Sequence, residues 1–186
     1  MAWLVLAYRL PVDHRLKMTV RRRLTAMGAV FPVNAVAAVP ASPAAERAFR
    51  RMRSIIGDAG GSAQVLRAEV IEGAWGLVAA FNAAREQEYA EILAGCDEVM
   101  AGIEALAAAG RYRYPDLGDK DAELRRLSMR TDTIRTRDAL GAANAEDVVS
   151  ALARCRAALD DFASRVYQTD GAPITGIVSG RRSPEP

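Results

Sequence analysis

Cysteine is scarce. Cys96 and Cys155 are the only two in 186 residues, which excludes a disulfide framework. Neither is flanked by residues at metal-ligand spacing, and both fall at apolar helical positions. The sequence therefore predicts buried free thiols and no metal site. Histidine is scarcer still. His14 stands alone, beside Asp13 and next to a run of arginines, so no general base and no metal ligand is expected of it. Long apolar runs are missing, which excludes a membrane span. Trp3-Leu4-Val5-Leu6-Ala7 is apolar, but it has no basic leader and Arg9 cuts it short, so it is not read as a signal peptide. A cytoplasmic protein is expected. The chain has no glycine-rich phosphate loop, no nucleophile elbow and no zinc signature. No active site and no cofactor are expected, and the chain reads as non-enzymatic.

Aromatics make up only 6% of the residues while alanine is abundant, which points to a largely helical protein. Charge is unevenly placed. Residues 1–70 hold 11 Lys/Arg against 4 Asp/Glu, and residues 71–186 hold 14 against 19. A front half at +7 suggests an anionic partner, with nucleic acid the commonest one. A solvated surface partly covered by the acidic back half is the bland alternative.

The pattern along the chain starts with a short apolar strand over 3–8. Asp13 can cap a helix over 14–27, whose apolar face is Leu16, Val20, Leu24 and Met27, with Gly28 as its stop. Two short apolar runs around Asn34 predict a hairpin, and Pro32 places one run at an edge or bulge. Ser42-Pro43 opens a second helix with the stripe Phe49, Met52, Ile55, Ile56 and Ala59. Residues 63–70 alternate, with Leu66, Ala68 and Val70 on one side. The order strand, helix, strand, strand, helix, strand predicts an α+β fold opening with a ferredoxin-like βαββαβ domain over 1–72. An antiparallel three-helix region follows over 73–168. Its helices are expected near 75–109, 120–140 and 145–167. Gly95 and Gly102 are expected to kink or break the first, residues 110–118 to form a loop, Asp119 or Asp121 to cap the second, and Asn144 to cap the third. Residues 169–186, rich in Gly, Ser, Pro and Arg, predict a disordered tail.

Two constellations could carry function. At 100° per residue, Arg15, Lys17, Arg21 and Arg22 point away from the apolar stripe of the first helix. Arg47, Arg50, Arg51 and Arg53 lie opposite or beside that of the second. Side by side, these faces would form one basic surface able to bind DNA phosphates without reading sequence. The second constellation is Arg85, Glu88, Arg135, Arg137 and Asp138 on the back-half helices. It would form either an inter-helix ion-pair cluster or an oxyanion pocket. Long apolar helices also suit self-association, so a homo-oligomer or an interaction module without DNA binding is the competing reading.

Several segments together resemble the ChrB N-terminal family. They are the opening Trp3 to Pro11, the basic helix ending in Leu24-Thr25-Ala26-Met27-Gly28-Ala29, the turn Gly60-Gly61-Ser62-Ala63, the Phe81-x-x-x-Arg85-x-x-x-Tyr89 helix, Asp121-Ala122-Glu123-Leu124, and Ile134-Arg135-Thr136-Arg137-Asp138. The resemblance covers about residues 3–166. It implies a regulator of chromate resistance that binds promoter DNA through the basic front half, with an oxyanion such as chromate as effector. Family members often carry Trp where this chain has Arg21. The front half is also similar in topology to small ferredoxin-fold nucleases, which use an acid at the end of the first strand. Here that stretch reads Tyr8-Arg9-Leu10.

Overall fold

The computed structural model describes residues 1–170. The elements are β1 (Ala2–Arg9), α1 (His14–Ala26), β2 (Val30–Val33), β3 (Val36–Pro40), α2 (Pro43–Asp58), β4 (Ser62–Glu69), α3 (Ala74–Ala108), α4 (Tyr114–Arg135) and α5 (Ala145–Asp170). The first six follow the βαββαβ order that periodicity predicts, and the whole is an α+β structure. The four strands form one antiparallel sheet in the order β2-β3-β1-β4.

Local chemistry explains the helix starts in the front half. The Asp13 carboxylate accepts from the backbone N–H groups of Arg15 and Leu16, and the Ser42 hydroxyl accepts from Ala45 N–H, with Pro43 at the first helical position. The α1 terminus is a Schellman turn. Gly28 takes φ +84°, Gly28 N–H donates to Thr25 O, and Ala29 N–H donates to Leu24 O. Pro32 lies on β2, an edge strand, beside a register shift against β3.

Leu4 and Leu6 of β1 pack with Val20 and Leu24 of α1 and with Phe49, Met52 and Ile56 of α2. Both front helices therefore cover one face of the sheet. The opposite face carries Trp3, Val30 and Ala38, and there Phe81 of α3 packs edge-on to Trp3 with ring centroids 6.0 Å apart. Beyond that contact α3 runs on, about 52 Å in all at 1.5 Å per residue, and forms a third core with α4 and α5.

On β4 the predicted alternation holds: Leu66 and Ala68 pair with Val5 and Trp3 on the α3 side of the sheet, where Val70 also packs, while Ala63 and Val65 pack toward α1 and α2. Other expectations need correcting. α3 runs unbroken through Gly95 and Gly102. A Cβ on Gly95 would sit 2.7 Å from Leu127 Cδ2, and one on Gly102 2.7 Å from Lys120 Nζ, so both glycines lie against side chains of α4. α4 begins at Tyr114, inside the predicted loop. Pro115 occupies its first turn, so Asp119 and Asp121 lie within the helix rather than capping it. It ends at Arg135, and the chain then turns through residues that carry Leu140 toward the Trp3 cluster. Asn144 does not cap α5 with its side chain. Its Nδ2 donates to Glu86 O at 2.9 Å instead, tying the start of α5 to α3. Of the predicted tail, residues 169 and 170 belong to α5, and residues 171–186 lie outside the described residues.

Candidate nucleic-acid interface

The apolar stripes of α1 and α2 face the sheet, so helical geometry turns their cations outward. Arg15, Lys17, Arg21, Arg22, Arg47, Arg50, Arg51 and Arg53 are all exposed. Among the described residues only Arg50 of these eight has a carboxylate partner, Glu46 at 2.6 Å, which also stands 3.5 Å from Arg67. Arg21 stacks over the Phe31 ring at 4.5 Å, which holds its guanidinium at the β2 edge of the surface. The acidic helical region does not cover this face. It packs through Phe81 on the other side of the sheet and reaches α1 only at its C-terminal end.

That end is the second site. The Arg85 guanidinium, 1% exposed, donates through Nη1 to Gly28 O at 3.1 Å. Arg137 donates through Nη1 to Ala26 O at 2.5 Å and through Nη2 to Glu88 Oε1 at 2.7 Å. The other oxygen of Glu88 lies 2.9 Å from Arg85 Nε, an ion pair held by charge rather than by a well-aligned hydrogen bond. One carboxylate thus bridges two arginines, and both arginines grip carbonyls at the negative end of the α1 dipole. Burial pulls the Arg85 guanidinium below its ordinary value, with Glu88 opposing the shift and Arg137 adding to it. Arg85 also lies 5.1 Å from the Phe81 ring centroid, so the clasp continues into the sheet-facing cluster.

Asp138 joins from the α4–α5 connection. Its Oδ2 accepts from the Tyr89 hydroxyl at 3.2 Å, and its carboxylate also accepts from the N–H groups of Gly141 and Ala142. Burial first, then the Asp138 charge, pushes the Tyr89 phenol up to about 12. Arg135, grouped with these residues on sequence grounds, is exposed and makes no hydrogen bond or ion pair among the described residues.

Sequence reasoning missed the α1 carbonyls as the acceptors of this clasp, since a backbone oxygen leaves no mark in residue type. The one available signal was Gly28. A Cβ there would lie 2.6 Å from Arg85 Nη1. Between the clasp and the outer flank of α1 runs an open groove of about 680 Å³, lined by Thr19, Arg21, Arg22, Thr25, Glu88 and Arg137 among others. Among the described residues no group of three or more His, Cys, Asp or Glu could hold a metal ion, and no helix is long and apolar enough to cross a membrane.

The family model described as "Protein ChrB, N-terminal" matches residues 17–173. No curated protein and no solved structure matches the chain. The matched span runs from the basic α1 through the clasp to the end of α5 and covers most of the molecule, so the chain belongs to the ChrB N-terminal family.

Proposed function

We propose that this protein binds duplex DNA through the outward face of α1 and α2 and acts as a transcriptional regulator. Its family associates it with chromate resistance, and a cytoplasmic location goes with this role. The observation that carries the reading is the exposure of eight cations on two adjacent helices, seven of them without a carboxylate partner among the described residues. A face of this kind would track phosphates, and the clasp would hold α1 at a fixed tilt against the helical region. The reading assigns no catalytic step. An oxyanion effector at the clasp would have to displace Glu88 from Arg85 and Arg137, so the contacts there favour an ion-pair cluster.

A competing reading, an interaction module, draws on one observation. Ile71 is 96% and Trp75 89% exposed at the start of α3. Fluorescence anisotropy with random duplex DNA across a salt series separates the two. DNA binding through this face gives an affinity that falls steeply with salt, with a log–log slope of about −0.9 per phosphate contacted. No binding at low salt leaves the interaction module.

A further inference from the structure

The chain has two cysteines, and the fold sets one against the other. Cys96 of α3 and Cys155 of α5 lie 59 residues apart, and Cys155 Sγ donates to Cys96 O at 3.4 Å. Both are free and buried in the core of the helical region, at 1% and 0% exposure. We propose that Cys96 and Cys155 form a redox-sensitive pair that closes to a disulfide joining α3 to α5 under a two-electron oxidant of the peroxide class.

The pair is chemically asymmetric. Burial pushes both thiols up, Cys96 to about 12. The contact between the thiols separates them: it raises Cys96 and lowers Cys155, while the Arg154 charge lowers both. Cys155, whose thiolate that contact favours, is the attacking sulfur in the proposed step. Its thiolate attacks one peroxide oxygen, the O–O bond breaks, and the departing hydroxide leaves as water with the thiol proton. Cys155 becomes a sulfenic acid. The Cys96 sulfur then attacks the Cys155 sulfur, the S–O bond breaks, a second water leaves with the Cys96 proton, and the S–S bond forms. Two thiols lose two electrons and two protons, and one peroxide becomes two waters. Both sulfurs are buried, so reaction waits on local opening of the helices, which admits a small neutral oxidant most readily.

The test uses the full 186-residue chain, reduced, then treated with hydrogen peroxide, unfolded and alkylated. Mass spectrometry is expected to show loss of two hydrogens, no alkylation, and a peptide linking Cys96 to Cys155. Closing a loop of this length is expected to raise Tm by roughly 10 °C, reversed by dithiothreitol. In Cys96→Ser the link is lost and dimedone traps a sulfenic acid on Cys155. In Cys155→Ser the link is lost and Cys96 remains alkylatable. Two alkylated cysteines after peroxide, or links only between chains, would overturn the proposal on the unsubstituted protein alone.

Discussion

Arg85 donates to the carbonyl oxygen of Gly28 at 3.1 Å, joining the N-terminal part of α3 to the residue that ends α1, 57 positions earlier. This contact ties the basic helix to the helical region, and it depends on both partners. The guanidinium is buried, and Gly28 combines a positive φ with a close approach that leaves no room for a Cβ.

Replacing Arg85 with Met leaves Gly28 O without its donor and Glu88 with only Arg137. A cost of about 3 kcal/mol in urea unfolding is expected, because truncating one side of a buried pair strands the other. Gly28→Ala costs about 2 kcal/mol, from left-handed backbone strain and displacement of Arg85. Wild-type stability in both variants would show that the clasp holds nothing.

Gly102 and Gly95 separate two effects. At Gly102 the nearest atom to an added Cβ is the end of the Lys120 side chain, which can swing away. Gly102→Ala is expected to stabilise by about 0.5 kcal/mol through helix propensity. Gly95→Leu pushes against the half-buried Leu127, which packs on the helical core, and is expected to destabilise by about 2 kcal/mol. Equal effects in thermal melts would rule out close approach as the role of Gly95.

Alkali should weaken the fold in a defined window. Tyr89 holds its proton up to about 12 against an ordinary 10.0, and Cys96 up to about 12 against 9.0. Protons bound more tightly in the folded state contribute stability that is complete below pH about 9 and is lost as pH rises toward 12. Tyr89→Phe is expected to flatten the part of the loss above pH about 10. An unchanged slope in a Tm series would remove Tyr89 from the account.

On the basic face, Arg21→Ala with Arg22→Ala is expected to reduce the log–log salt slope of DNA binding by about 2, with only a small fall in Tm from loss of the Arg21–Phe31 stack. Arg50→Ala is expected to do less, because Glu46 already neutralises that guanidinium at 2.6 Å. A salt slope that ignores Arg21 and Arg22 would move the interface off α1.

The front half was legible because its signals are local. Asp13 and Ser42-Pro43 start their helices by bonding or omitting N–H groups within three residues, Gly28 ends α1 by its own backbone freedom, and the stripe Val20–Leu24 determines where Arg21 and Arg22 point. Locality also explains the misreadings. Asp119 and Asp121 look like caps in isolation, but Pro115 had already opened α4, and the helical glycines Gly95 and Gly102 have a meaning only once Leu127 and Lys120 lie against them. By itself the sequence determined the order of the elements, the outward basic faces and the family likeness, because each depends on residue type and short-range spacing. Tertiary structure alone decided that Arg85 and Arg137 grip the carbonyl end of α1, that Arg135 stays outside the cluster, and that Cys96 meets Cys155. Those contacts join atoms 57, 111 and 59 residues apart. A period of 3.6 fixes the face a side chain takes but not the partner packed against it.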